Sequence, residues 1–273
     1  MLVASIDGRI TSGAEASVPV TDRGFLYGDS VFETFRTYER RPHAIDRHLA
    51  RLERSAAAVE IRLPLDVDGF RREVSELIAR SEGERRIRLV VTRGDAYGLH
   101  EDGARRVILS FPFHDHPSER YDAGVACRTV EGARDMASAK AGSYILSVLA
   151  TRMAYAGDAH EAILLDGDEV REGATSNVFI VDAHGTLRTS AAGVLPGVTR
   201  GIVLELARAA GLPVEEGSVT REDLRAAREV FLTSATREVM PVRRVDDVDI
   251  AAPGPLTQRL GTAYRQSIPD RLA

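Results

Sequence analysis

Residues 114–124, HDHPSERYDAG, are a polar stretch with a proline that parts two runs of strand and helix patterns. A chain of 273 residues is long enough to fold around two cores. The expectation is two units, 1–115 and 125–273, joined by a linker over 116–124. In the first half, MLVASIDGRI reads as two strands about an Asp7-Gly8 turn. SVFETFRTYERRPHAI repeats that plan, with Arg41-Pro42 placed in the turn. DRHLARLERSAAAVEI is a helix capped by Asp46, with Leu49, Leu52, Ala56 and Val59 at helical spacing. DVDGFRREVSELIARS is a second amphipathic helix, and RRIRLVVTRG and RRVILSFPF are strands flanking the loop DAYGLHEDGA. The second half opens with the strand VACRTV, followed by a helix over about 142–157. Turn-punctuated strands, a helix ending at Gly211 and a closing helix near 255–267 follow. Both halves read as α+β, without regular βαβ alternation.

Composition narrows the function classes. A net charge of -5 argues against a general nucleic-acid binder. No stretch approaches the ~20 apolar residues of a membrane span. The first residues lack a basic, apolar leader pattern, and Cys127 is the sole cysteine. A cytoplasmic protein without an intramolecular disulfide is therefore expected, with no membrane or nucleic-acid partner.

Of the 36 Lys and Arg residues only one is lysine, Lys140. Arginine serves solubility and ion pairing as well as lysine, but it does not give up its proton to attack a carbonyl. A chain this rich in arginine keeps a lysine either by chance or because a primary amine is needed. Its surroundings must decide. Pyridoxal phosphate (PLP) needs a lysine for its imine, an acid facing the pyridine nitrogen, a phosphate cradle and packing on the ring. Glu172, in EGATSNVF, is the candidate acid; a glutamate before a turn is otherwise a solvated residue. The small polar string that follows it lets backbone approach a ligand. LPGVTR is the candidate cradle, where Gly197 permits close approach and Val198 and Thr199 open a helix whose first N–H groups favour an anion. FLTSATREV supplies a second polar string, with Ser234 and Ala235. Arg51 is a candidate counter-charge, or else a surface arginine.

DRGFLYGDSVFETFR, HLARL, VTRG, Lys140 with AGSYILSVLA, EGATSNVF, LPGVTR and FLTSATREVMPV occur in this order, from about Asp7 to Val242. That order resembles the class IV (fold type IV) PLP enzymes, which include D-amino acid and branched-chain aminotransferases, (R)-amine transaminases and aminodeoxychorismate lyases. The resemblance implies two α/β domains with the cofactor between them, and a homodimer. It makes Lys140 the Schiff-base lysine and Glu172 the partner of the pyridine nitrogen. It places Arg51, Val198, Thr199 and Ala235 on the phosphate, the last through its backbone N–H. Leu195 packs on the ring, and Ser234, Ala174, Thr175 and Ser176 line the pocket. No metal is implied.

Two departures stand out. TSAAGVLPG is shorter than the family's usual segment before the phosphate loop. In D-amino acid aminotransferases an arginine and a histidine of the loop after TRG bind the substrate carboxylate; here His100 is present, but Gly98 stands where the arginine would be. Strand alternation offers a replacement. Arg88, Val90 and Thr92 share one face, and Leu89, Val91 and Arg93 the other. By likeness to relatives the Arg88 face is the pocket face, so Arg88 becomes the candidate carboxylate ligand, with a salt bridge as the alternative. Arg36 and Arg23 are lesser candidates, and Phe32 lines the wall. The expected reaction is transamination between an amino acid or primary amine and a 2-oxo acid. SVFETFR resembles the D-amino acid and (R)-amine enzymes and the lyases more than the branched-chain enzymes, and this likeness implies D-amino acid or (R)-amine donors; a lyase of the aminodeoxychorismate type and a branched-chain L-amino acid aminotransferase are the alternatives.

Overall fold

The computed structural model describes residues 1–95 and 103–273. The chain divides into two compact units: Met1–Asp115 with Ala139–Tyr144 and Ile268–Ala273, and His116–Ser138 with Ile145–Ser267.

The first unit holds β1 (Val3–Ile6), β2 (Arg9–Ser12), α1 (Arg23–Tyr27), β3 (Ser30–Tyr38), β4 (Arg41–Pro42), α2 (Ile45–Ala58), α3 (Val67–Ala79), β5 (Arg85–Thr92) and β6 (Arg105–Pro112). Its sheet runs β2-β1-β6-β5-β3-β4, antiparallel throughout. The β1–β2 turn is Asp7-Gly8 as expected, both at positive φ (51° and 88°), the twist that suits a two-residue hairpin. The second hairpin turns one dipeptide earlier than expected. Glu39 and Arg40 take positive φ (53° and 60°), and Arg41-Pro42 forms the short strand β4 at the sheet edge, where proline's missing N–H costs no ladder bond. The expected Asp46 cap is also displaced. The N-cap of α2 is Ala44, which makes no side-chain capping bond, while Asp46 lies inside the first turn and pairs with Arg71. One apolar face of the sheet packs against α2 and α3 through Phe35, Leu49, Leu52, Phe70, Leu77, Leu89 and Val91. Full burial contributes ~1.5–3 kcal/mol for each such leucine or valine.

The second unit holds α4 (Glu119–Ala123), β7 (Val125–Glu131), α5 (Ile145–Ala156), β8 (Glu161–Asp166), β9 (Glu169–Gly173), β10 (Asn177–Val181), β11 (Leu187–Ser190), α6 (Val198–Ala209), β12 (Val214–Gly217), α7 (Arg221–Ala226), β13 (Glu229–Ser234), β14 (Glu238–Val245), β15 (Val248–Asp249) and α8 (Pro255–Gln266). Its sheet runs β12-β11-β10-β13-β14-β7-β8-β9, with β15 on β14. The pairs β11–β12, β14–β7 and β7–β8 are parallel, so this sheet is mixed. Helix α5 packs on β7 and β8 through Ala150 and Ala154 against Ala126, Val130, Ala162 and Leu164.

The expected linker is part of this second unit. It carries α4, and Tyr121 donates its hydroxyl hydrogen to the Arg237 carbonyl. The expected boundary at 125–273 is also crossed twice. Ala141 pairs with Val31 of β3 and Leu272 with His43, which returns both short segments to the first unit.

Candidate active site

In the first unit, the lysine segment is stitched to β3. Phe32 N–H donates to the Lys140 carbonyl (2.9 Å), and Gly142 N–H donates to the Ser30 carbonyl (2.7 Å). Lys140 N–H donates to Ser55 Oγ on α2 (3.0 Å). Glycine is required at 142, because a Cβ there would lie 2.0 Å from Ser30 Oγ. These bonds fix the lysine backbone against a strand and a helix at once. Lys140 Nζ then sits 4.5 Å from the centroid of the Phe32 ring.

The same ring carries a second cation. Arg88 Cζ lies 4.0 Å from the Phe32 centroid. Phe32 and Arg88 come from neighbouring strands, since Phe32 pairs with Val90 and Thr34 with Arg88. The alternation expected of β5 holds: Leu89 and Val91 are in the core, while Arg88 and Val90 are half-buried. Arg88 makes no side-chain hydrogen bond or ion pair with a described residue. Burial pushes its pKa below the ordinary arginine value. A guanidinium taken out of water without a carboxylate is costly, and an anionic ligand would relieve that cost. The lesser candidates are committed elsewhere. Arg36 pairs with Asp115 and stacks on Tyr38 and Phe113, and Arg23 pairs with Asp29. His100 and Gly98 lie outside the described residues.

Arg51 is buried, not superficial, and it is paired. Its Nε and Nη2 both meet the Glu33 carboxylate at 2.8 Å. His48 Nδ1 lies 2.7 Å from the same carboxylate. Burial works to raise the Glu33 pKa, but the Arg51 charge and hydrogen bond, helped by His48, outweigh it and hold the carboxyl at about 2. Burial pushes His48 below its usual value. The imidazole is therefore neutral near pH 7, with its hydrogen on Nδ1, since a carboxylate only accepts. Any phosphate contact of Arg51 falls to the guanidinium N–H groups not spent on Glu33.

In the second unit, Glu172 is 4% exposed at the end of β9. Its Oε2 accepts from Leu195 N–H (3.0 Å), and its Oε1 accepts from Arg134 Nε (2.7 Å). Asn177 Nδ2 donates to the Leu195 carbonyl (2.8 Å). The short segment before α6 is thus held at both faces of one peptide residue. A Cβ at residue 197 would lie 2.0 Å from Asn177 Oδ1, so any larger residue would push on the Asn177 side chain that holds the loop. Gly197 is also the N-cap of α6 and makes no side-chain capping bond. Neither Val198 nor Thr199 donates its backbone N–H to a described residue. The first turn of a 12-residue helix thus presents unspent donors and the positive end of its dipole, as a phosphate requires. Ala235 N–H, in the turn after Ser234, is likewise unspent among the described residues, and Ser234 Oγ accepts from Arg237 N–H (3.3 Å). The donor set fits a phosphorylated pyridine cofactor: a lysine amine, a buried carboxylate and helix-end N–H groups.

Ala174 is buried, while Thr175 is exposed and already engaged. Its hydroxyl donates to Glu161 Oε2 (2.8 Å) and accepts from Arg237 Nη1 (2.7 Å). Glu161 is 1% exposed and also pairs with Arg237, so one buried carboxylate ties both polar strings together. Glu161, Arg237, Arg134, Glu33 and Ser55 escaped the sequence reading. Arginines carry no signal in so arginine-rich a chain, and the two carboxylates sit inside strand patterns.

Comparison with known proteins agrees with this arrangement. The model of the family described as amino-transferase class IV matches residues 30–245. D-alanine aminotransferase of Bacillus licheniformis is 34% identical, covering 96% of this chain and 95% of that protein. The branched-chain aminotransferase of Thermoproteus uzoniensis, solved with norvaline, superposes with a TM-score of 0.90 at 30% identity, covering 98% and 95% of the two chains. The T.th. branched-chain amino acid aminotransferase, solved with pyridoxamine 5'-phosphate, superposes with a TM-score of 0.91 at 29% identity, covering 98% and 94%. The chain belongs to the class IV aminotransferases, enzymes that work through pyridoxal phosphate.

Proposed function

We propose that the protein transfers the amino group of a carboxylate-bearing donor, a D-amino acid foremost, to a 2-oxo acid. The observation that carries this reading is Arg88, a cation without an anionic partner among the described residues, placed on the ring that also carries Lys140. The likeness to D-alanine aminotransferases supports the D-configuration. The bound cofactor supplies an aldehyde carbon that takes the amino group and a ring that accepts the electrons of the Cα–H bond. Lys140 would hold the cofactor covalently at rest, and its amine, once freed, would take and return the proton of the substrate Cα. Glu172 keeps the proton on the pyridine nitrogen. Val198, Thr199 and Ala235 N–H groups, with Arg51, hold the phosphate, and Leu195 packs on the ring. Arg88 binds the donor carboxylate, Phe32 forms the wall beside it, and Ser234, Ala174 and Thr175 border the donor. A primary (R)-amine, lacking the carboxylate, would leave Arg88 unpaired and react more slowly.

A second reading has its own support. The structural likeness to branched-chain aminotransferases favours L-configured aliphatic donors. One experiment separates the readings. Holoenzyme is mixed with D-amino acids, L-amino acids and (R)-amines in turn, and conversion of the cofactor to its amine form is followed by absorbance. Conversion with D-alanine or D-glutamate and none with L-leucine supports the proposal; the reverse order overturns it. In Lys140→Ala the covalent absorbance band is lost.

We also propose a cytoplasmic homodimer. Ile145, Val148, Leu149 and Met153 of α5 are 44–66% exposed, an apolar face that a second copy would cover. Phe25, Leu26 and Tyr27 of α1 are 50–69% exposed. Among the described residues no helix is long and apolar enough to cross a membrane. Light scattering of the holoenzyme tests the dimer.

A further inference from the structure

Arg128 on β7 and Arg244 on β14 have no place in the chemistry above. The two strands are parallel neighbours, with a register shift between Val242 and Arg244 that sets Arg244 opposite Ala126. Both arginines line one cavity of about 380 Å³, at the small end of ligand-binding pockets. Neither side chain has a hydrogen bond or ion pair with a described residue. Arg244 Nε is buried and without a hydrogen-bond partner among those residues. Elsewhere in this unit Arg188, Arg200 and Arg237 each meet a carboxylate. The carboxylate among the described lining residues, Asp246, accepts from Thr129 N–H (2.8 Å) and Thr129 Oγ1 (2.7 Å). Its oxygens are therefore turned to the threonine, not to the arginines. Gly157, just beyond α5, completes the arrangement: a Cβ there would lie 2.5 Å from Arg128 Nη1. Glycine at this point leaves room for the guanidinium to lie over the helix end.

Two guanidinium groups and one engaged carboxylate leave the cavity with a net positive charge. Arginine's planar fork matches the oxygens of a carboxylate or phosphate, and the terminal guanidinium N–H groups of Arg128 and Arg244 are unspent among the described residues. We propose that this cavity binds a small organic oxyanion, held by its carboxylate or phosphate group between Arg128 and Arg244. The site is separate in residues from those assigned to the cofactor and donor, so it stands or falls independently of the donor assignment.

Titration calorimetry on PLP-saturated holoenzyme tests it, because the cofactor then fills its own phosphate site. Inorganic phosphate and citrate are titrated separately at constant ionic strength, with chloride as the control. The expected result is saturable binding of phosphate or citrate but not chloride. Phosphate alone identifies a phosphorylated ligand, and citrate alone a carboxylated one. Arg244→Gln and Arg128→Gln should each weaken binding about tenfold or more, equivalent to ~1.4 kcal/mol. Arg244→Lys, which keeps the charge and loses the fork, should fall between. Arg128 is exposed, so its variant tests the site without disturbing the core. Amino-group transfer at saturating donor should be unchanged in all three. Absence of saturable binding by both anions, or equal affinity in wild type and both glutamine variants, overturns the proposal.

Discussion

Arg51 and Arg88 belong to the same unit, yet they face opposite physical situations. Arg51 is 4% exposed and gripped by Glu33 through two hydrogen bonds, with His48 as a third member. Arg88 is half-buried against Phe32 and has no carboxylate among the described residues. The charge of Arg51 is satisfied before any ligand arrives, so its orientation is set by folding. The charge of Arg88 has no carboxylate among the described residues, which is why it is proposed to take the carboxylate of a ligand. The difference separates an arginine whose place is set by folding from one proposed to select what enters the site.

The comparison breaks most visibly at Glu33. Glu33→Ala leaves Arg51 buried without its counter-charge, and removing one partner of a buried pair costs ~3–5 kcal/mol. Urea denaturation should show that loss as a lowered midpoint; an unchanged midpoint would mean that Glu33 does not hold Arg51. Arg88→Ala should leave the same midpoint nearly where it was, because no ion pair is broken.

Acid should act on this unit in two stages. His43 is pushed down to about 4, chiefly by burial. It is neutral when folded and takes a proton when unfolded, so stability falls as pH drops from about 6.5 towards 4, by ~1.4 kcal/mol per pH unit. Glu33 is held at about 2 against an ordinary 4.5, so its contribution is complete above 4.5 and is lost as pH falls from there towards 2. His43→Gln should make the first stage shallower, leaving the part that His48 and His160, both also pushed down chiefly by burial, contribute, and should leave the second unchanged. Denaturation midpoints across this range provide the check; a wild-type curve that is flat between 6.5 and 4 would contradict the first stage.

For Arg88 the effect belongs in kinetics. A hydrogen bond to a charged group is worth ~1.5–3 kcal/mol, so Arg88→Ala should lower kcat/KM for carboxylate donors by roughly ten- to a hundredfold. A primary amine without a carboxylate should be nearly unaffected. Equal losses for both donor types would make Arg88 a structural residue and erase its contrast with Arg51.

The contrast was only half legible in the sequence. Alternation along RIRLVVTR puts Arg88 and Leu89 on opposite faces, and the structure keeps that division. The hairpin at Asp7-Gly8 was equally plain, since two left-handed residues suit the strand twist. Arg51 was different. Its partner Glu33 lies 18 residues away on another element, inside SVFETFR, where a glutamate in an alternating strand reads as solvent-facing. Its complete burial follows from α2 covering that face, a tertiary fact with no local signature. The second hairpin misled for a related reason. Proline is a turn former by its fixed φ, but Glu39 and Arg40 bend the chain, with Arg40 donating to the Ser81 and Ile78 carbonyls. The mixed sheet was hidden too, because strand pairing across β7 and β14 links residues over a hundred positions apart, beyond any local pattern.

A third means of holding an anion needs no arginine, and it gives the smallest and most local of these effects. At the start of α6 the donors are backbone N–H groups, and their position depends on Gly197. A methyl group there would enter the space of Asn177 Oδ1, 2.0 Å away, and push on the Asn177–Leu195 bond that holds the loop. Overpacking of this kind costs ~1–3 kcal/mol. Part of that strain can be relieved by moving the loop, which shifts Val198 and Thr199 away from the phosphate they are proposed to bind. Gly197→Ala should therefore raise the dissociation constant for pyridoxal phosphate by about fivefold to tenfold, equivalent to ~1–1.4 kcal/mol. The donor preference should stay the same, because Gly197 is not among the residues assigned to the donor. Cofactor release followed by absorbance after dilution measures the first, and the donor panel measures the second. A weakened cofactor with unchanged donor order separates the backbone cradle from the arginine that reads the carboxylate. A changed donor order with cofactor affinity intact would place substrate recognition at α6 and remove Arg88 from its role.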